Sequence, residues 1–508
     1  MGIPNLPTLL AIALNVAIFI AWCSRYYSRV DSPEAPPTVK YDIPWVGHLV
    51  PFLMRPITFL DRCRERYGKV YKIVVGGQSI VIISSPHSIL SLQTKSTKEL
   101  GPIEFQKIAS LAGLPKKRVP ELFHTLHRRI YPIATGSFTP RFVGVFTTPT
   151  VSNLCSLIAK FVPGDSKAFV SVNLHDFIAR TIHRASVSTI WGPHFPDTFD
   201  DFADLDENMF TVLSSIPGFG RRGYAARERL ADKIRVFMAE RWKEGEEGVD
   251  GHLEGASEEM SAAIAELKKH DVADEEVARC LVAIMWGAHG NMLSVATWLM
   301  LYLTSNPYAF IRVRDAVRKA YPSTIPDPHA LVDNFQDVPI LDSAIKETMR
   351  LVLLPTSVRE ALCDVTLADE GGRQYVVKKG EQIITDVRGM HLDPTYHGTD
   401  ARAFKVDRFV GAEAKYGDYE GVKTLVPWGG GMFMCKGREY AQRVIKVFFI
   451  IFFQLYDVEL WGFPLPAFDE WSVSVLHPAE SMPPMKLRRR RDSDVPADDI
   501  KEMAAMAA

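Results

Sequence analysis

P-W-G-G-G-M-F-M-C-K-G-R, residues 427–438, is the stretch on which the reading turns. Gly429, Gly430 and Gly431 carry no Cβ, so the backbone there can lie close against a flat group. Cys435 follows, and a helix-like run starts at once with Glu439, Tyr440 and Ala441. A cysteine at a helix N-terminus feels free N–H groups and the positive end of the dipole, which lower its pKa and favour thiolate. Lys436 and Arg438 add positive charge beside it. A thiolate so placed suits axial ligation of haem iron. The same residues also suit a small, buried, inert cysteine beside a glycine turn, so other parts of the chain must decide.

Three of them speak to it. In P-I-L-D-S-A-I-K-E-T-M-R, Ile340, Leu341, Ala344, Ile345 and Met349 are spaced for a helix, and Glu347 and Arg350 lie three apart on one face. A solvated surface pair would look the same. H-T-L-H-R-R holds His124 and Arg128 in a basic run, which also suits a basic helix face. A long apolar helix is expected from Cys280 to about Thr304, with Gly287, Ala288, His289, Gly290, Asn291 and Met292 at its middle. Taken alone, His289 reads as a satisfied interior histidine.

The glycine–cysteine loop resembles the haem-binding signature of the cytochrome P-450 superfamily, aromatic-G-x-G-x-x-x-C-x-G. Trp428, Gly429, Gly431, Cys435 and Gly437 fall on its fixed positions. Trp428 replaces the usual Phe, and Phe433 stands where an Arg or His normally faces a haem propionate. The resemblance implies haem b with Cys435 as axial thiolate. It makes Glu347, Arg350 and Arg408 (in F-K-V-D-R-F) a buried structural triad. It makes Arg128 a propionate ligand, with His124 in place of a Trp, and gives Arg359 a second propionate contact. The implied fold is the mainly α cytochrome P-450 fold with a small β portion, as one large catalytic domain. W-G-x-G before the cysteine and W-x-x-x-G-N-M in the long helix are similar to the branch of prostacyclin synthase and the sterol 7α- and 12α-hydroxylases.

Where most monooxygenases of the superfamily carry an acid and a threonine in the long helix, this chain has His289 or Gly290 and then Asn291. These three are the candidate catalytic residues. Asn donates and accepts hydrogen bonds but is a poorer proton relay than an acid–hydroxyl pair. The resemblance implies a lipophilic substrate, a sterol, terpenoid or similar polycycle. Met285, Trp286, Ala288, Gly290, Asn291, Thr356, Ser357 and Val358 are expected to line its pocket, with Gly290 leaving room for a wide ring. Electrons would come from a separate NADPH–cytochrome P-450 reductase, because no strand–glycine turn–helix dinucleotide fingerprint occurs. Lys436, Arg438, Arg443 and Lys446 would face that partner. A haem-thiolate isomerase or dehydratase, needing neither reductase nor relay, is the alternative. A haem-binding protein without turnover is a third.

Residues from Leu6 to Cys23 are almost wholly apolar, with Asn15 the main exception, enough for one membrane helix of about 20 residues. Arg25 and Arg29 follow it and no basic residue precedes it, which puts the rest of the chain in the cytoplasm. A single-pass anchor of the endoplasmic reticulum is expected. The expected division is anchor 1–30, Pro-rich hinge 31–50, catalytic domain 51–487 and a basic then polar tail 488–508. A chain of 508 residues, 47% hydrophobic, builds a large core, and a formal charge of −1 argues against nucleic acid. Six cysteines without paired spacing indicate no disulfide framework. Residues 70–84 read as two strands around a Gly-Gly turn. Residues 243–278 read as a solvated loop and helix.

Overall fold

The computed structural model describes residues 33–490 apart from 42, 44–45, 103–110, 114–131, 133–142, 163–167, 215–217, 247–249, 270–271, 324–325, 334–337, 355–356, 412–416, 432–433, 460–463 and 480–483. Leu14 and Ala17 are also described, as is the backbone alone of 143–145 and 333. The expected anchor therefore lies almost wholly outside the described residues, as do His124, Arg128, Phe433 and Thr356.

The chain forms two compact units, residues 1–102 with 357–389, and residues 103–356 with 390–508. The first is built on a five-stranded sheet. Val70–Val75 and Gln78–Ile83 pair antiparallel, as their β-branched runs predict. Gly76 and Gly77 turn the chain between them with φ of +56° and +81°, a region open to glycine at little cost. Gln382–Thr385 adds parallel to the hairpin, and Ser357–Ala361 and Leu100–Pro102 complete the sheet. Helix Pro56–Tyr67 packs against it, with Leu60, Cys63, Tyr71, Ile73, Ile80 and Ile82 in one core.

The second unit is mostly helical. Its axis is the 32-residue helix Asp274–Ser305, with Asp274, Glu275 and Glu276 in its first turn against the positive end of the dipole. This helix is long and apolar enough to cross a membrane, yet 72% of its most apolar window is buried inside the protein. It is thus a core helix. Arg221–Arg241, Pro339–Val352 and Arg438–Leu455 all pack on it. Arg438–Leu455 also packs on Val143–Phe161 and buries Phe448, Phe449, Phe452 and Phe453 completely.

Two expectations need correction. Residues 243–278 are not simply solvated: Glu258–Lys268 buries Met260, Ala263, Ile264 and Leu267, and Trp242–Lys243 pairs with His252–Leu253. Nor does a tail begin at 488. Met485–Arg489 is a strand between Tyr456–Glu459 and Val170–Val172, Arg488 pairs with Asp457 at 2.8 Å, and Arg490 is buried. Interior carboxylate and carbonyl acceptors draw these arginines in.

Candidate functional site

The cysteine loop is closed by its own backbone. The N–H of Cys435 donates to the Trp428 carbonyl at 2.9 Å. Gly429 and Gly431 take φ of +67° and +61°, where a side chain would be strained. Gly437 precedes helix Arg438–Leu455, and a Cβ there would stand 4.0 Å from the sulfur. Cys435 is half-buried. Burial pushes its thiol pKa up, opposed by the N–H groups of Gly437 and Arg438 and by the charges of Arg438 and Lys436. The expected net lowering is therefore corrected, because desolvation outweighs the helix end. What the loop offers is a single soft sulfur with N–H groups aimed at it, the donor set a haem-iron thiolate requires. The residues fit that group.

Behind the loop lies a dense ionic support. Glu347, Arg350 and Arg408 meet with fully buried side chains. Arg350 grips Glu347 bidentately at 2.7 and 2.9 Å, and Arg408 Nε donates to Glu347 Oε1 at 2.9 Å. Their remaining protons are taken up too: Arg350 donates to the carbonyls of His391 and Ala401, and Arg408 to the carbonyl of His397 and to Asp400. Such saturation is what makes buried charge tolerable.

Two histidines carry this support forward. The Val426 N–H donates to His391 Nε2 at 3.2 Å, and His397 Nε2–H donates to the Thr424 carbonyl at 3.3 Å. Both acceptor and donor sites lie just before Trp428. Burial holds both rings neutral, His397 near a pKa of about 4 and His391 well below its usual value. Sequence reading missed them, since nothing in H-L-D-P-T-Y-H marks either as a strut.

The long helix shows which of its residues are open. Between Cys280 and Leu301 the residues not buried are Ile284, Trp286, Gly287, Ala288, Asn291 and Ser294. At about 100° per residue, all but Trp286 fall within about a third of the circumference. A Cβ on Gly287 would meet no described atom within 4 Å. Asn291 and Ala288 thus sit on an open stripe.

His289, two residues from Asn291 and so about 200° around the helix, does not share this stripe. It is 1% exposed and donates from Nδ1 to the Met285 carbonyl at 3.0 Å, and its ring meets His183 at 4.9 Å and Phe202 at 5.9 Å. Burial lowers its pKa to about 4. Its surroundings are those of a core histidine. Met285 is likewise buried. The room expected beside Gly290 is already taken: a Cβ there would come within 3.1 Å of both Trp286 Nε1 and Asp206 Oδ1.

Arg359, Ser357 and Val358 belong to the first unit, on strand Ser357–Ala361, where Arg359 is buried. Of the cations expected to face a partner, Lys446 is corrected: it is buried and paired with Asp342 at 2.8 Å. Arg438 donates to the Cys435 carbonyl at 3.1 Å. Lys436 is exposed and Arg443 half-buried.

Comparison with known proteins agrees with this geometry. The sequence model of the Cytochrome P450 family matches residues 36–483. Human (Homo sapiens) prostacyclin synthase is 25% identical over 497 residues, covering 89% of this chain and 93% of that protein. The 7-alpha-hydroxycholest-4-en-3-one 12-alpha-hydroxylase of Oryctolagus cuniculus is 23% identical, covering 92% and 96%. The 24-hydroxycholesterol 7-alpha-hydroxylase of Mus musculus is also 23% identical, covering 92% and 95%. With the family model spanning residues 36–483, the chain belongs to the cytochrome P450 family of haem-thiolate monooxygenases, whose haem iron is held by a cysteine.

Proposed function

We propose that this protein is a membrane-bound monooxygenase that inserts oxygen from dioxygen into a lipophilic, polycyclic substrate of sterol or terpenoid type. Cys435 is its haem ligand, and electrons come from a separate NADPH–cytochrome P-450 reductase. The observation that carries the reading is the open stripe of the long helix. It offers Ile284, Gly287 and Ala288 as an apolar, uncluttered wall, with the Asn291 amide and the Ser294 hydroxyl as its polar points. Such a wall selects apolar ligands, and few polar groups fix their orientation. The names of the relatives, two of which hydroxylate oxygenated sterols, support the same substrate class.

Bound haem supplies the activation of dioxygen. The chain does the rest. The N–H groups of Gly437 and Arg438 balance negative charge on the Cys435 sulfur. The Glu347–Arg350–Arg408 network and the His391 and His397 struts fix the approach of the chain to the loop. The Asn291 amide can hold a water and steer its proton. Lys346 and Lys436 are exposed, and with Arg443 they give an acidic reductase a basic face. Lys346 and Arg443 border a groove of about 400 Å³. Phe219, 40% exposed next to the helix start at Arg221 and Arg222, suits contact with a lipid surface. A single-pass anchor in the endoplasmic reticulum membrane fits the apolar stretch before Cys23.

The absence of any carboxylate from the open stripe favours a second reading, an isomerase or dehydratase of a peroxide or preoxidised substrate. Turnover of a lipophilic extract under heavy-isotope dioxygen separates the two. With NADPH and reductase, the monooxygenase transfers one labelled oxygen atom to product. Product formed without reductant and without label would establish the isomerase instead.

A further inference from the structure

Four residues from three stretches far apart in sequence meet at the flank of the open stripe. Asp206 lies in the last turn of helix Phe199–Glu207, Trp286 and Gly290 lie one turn apart on Asp274–Ser305, and His477 lies in the segment before the last strand. The Trp286 indole N–H donates to Asp206 Oδ1 at 2.7 Å. Gly290 makes this possible, since a Cβ would crowd both atoms at 3.1 Å. His477 Nε2 stands 3.6 Å from Asp206 Oδ2, with side chains 17% and 12% exposed.

His477 is held in place independently of Asp206. Its backbone N–H donates to the Ser472 hydroxyl oxygen at 2.8 Å, and its carbonyl accepts from the Asp469 N–H at 2.8 Å. The neighbouring Leu476 carbonyl accepts from the Trp298 indole at 2.7 Å. Trp298 lies seven residues, hence about two turns, beyond Asn291 on the same stripe. The segment around Leu476 and His477 therefore covers the far end of the open face, and Asp206 borders its side.

Among the described residues, Asp206 Oδ2 and His477 Nε2 face each other without a direct hydrogen bond. Asp206 Oδ1 is held by Trp286, while the 3.6 Å between Oδ2 and Nε2 is too long for a direct hydrogen bond. A hydroxyl oxygen beside the pair would lie about 2.8 Å from each atom. It would donate to the carboxylate and accept from the imidazole N–H. We propose that Asp206 and His477 form a two-point anchor for a hydroxyl group on an otherwise apolar polycyclic substrate, with Trp286 orienting the carboxylate. This deepens the function proposed above by naming the polar handle its substrate must carry. It adds a discriminating contact beyond the Asn291 and Ser294 points of the long helix, because a hydroxyl-poor analogue would leave both groups partly desolvated and unmatched.

The test is equilibrium dialysis of the full-length ferric holoprotein with labelled androstane and androstanol, which differ by one hydroxyl. Wild type is expected to bind androstanol about ten-fold or more tightly than androstane. Asp206→Leu removes the carboxylate acceptor and puts no donor in its place. This variant and His477→Phe are expected to bring the two ligands within about two-fold of each other. His477→Gln keeps a donor and should keep most of the preference. Wild type binding both ligands equally or neither, or a preference that survives Asp206→Leu and His477→Phe, overturns the proposal. Equal loss of both ligands, with the ratio unchanged, overturns it too and marks the pair as a structural clasp. No reductant or oxygen enters this experiment, so failure of the oxygenase reading would appear separately, in the labelled-dioxygen turnover.

Discussion

The two sides of the helical unit are built on opposite plans. Around Glu347, the guanidinium nitrogens of Arg350 and Arg408 all find acceptors within 3.5 Å, and nothing is left for a ligand. Along the open stripe of the long helix, polar groups are sparse, and the Asp206–His477 pair at its flank is only loosely engaged. A saturated network fixes position and tolerates no substitution. A sparse one leaves substrate and proton chemistry free to vary.

Breaking the saturated side should have the largest effect. Glu347→Gln strands two buried guanidinium groups, and removing one partner of a buried charge network costs about 3–5 kcal/mol. The variant is expected to lose most haem on purification, measured by the haem-to-protein absorbance ratio. Full haem retention would mean that the network is dispensable.

Acid should act on the same side next. His397 has a folded pKa of about 4 against an ordinary value of 6.5. Below 6.5 the unfolded chain binds a proton that the folded one refuses, so stability is complete above that pH and falls until the folded group titrates. One such group contributes about 3 kcal/mol over this window. His183, His289 and His391 are shifted in the same direction, each chiefly by burial. Melting temperatures should decline steeply from near-neutral pH to about pH 4. A flat profile would contradict the buried-neutral assignment.

On the sparse side, Asn291→Ala should lower dioxygen-dependent turnover by about 10–100-fold and peroxide-driven turnover much less. Equal losses would move Asn291 from proton handling to packing. Gly290→Ala should have the smallest effect. Its Cβ presses on the Trp286–Asp206 contact at 3.1 Å, which costs about 1–2 kcal/mol and leaves haem spectra unchanged.

What the sequence revealed follows the reach of local signals. The cysteine loop, the Glu347–Arg350 face, the two strands around Gly76 and Gly77 and the long core helix each depend on residues within a few turns, and each is found where spacing put it. The opposite facing of His289 and Asn291 was also available, because two residues on a helix point about 200° apart. Asp206, Trp286 and His477 are joined only by the tertiary fold, and no spacing links them. The His391 and His397 struts act on backbone groups, which sequence does not distinguish. The upward shift of the Cys435 thiol depends on burial, which neighbouring charges do not reveal.

The most direct test of the account is a carbon monoxide difference spectrum of wild-type and Cys435→Ser membranes, each reduced with dithionite or with NADPH and reductase. The account predicts a red-shifted thiolate band in wild type with both reductants and none in the variant. A thiolate band that persists in Cys435→Ser would contradict the central claim. A wild-type band with dithionite alone would leave the cysteine in place and turn the function toward the isomerase.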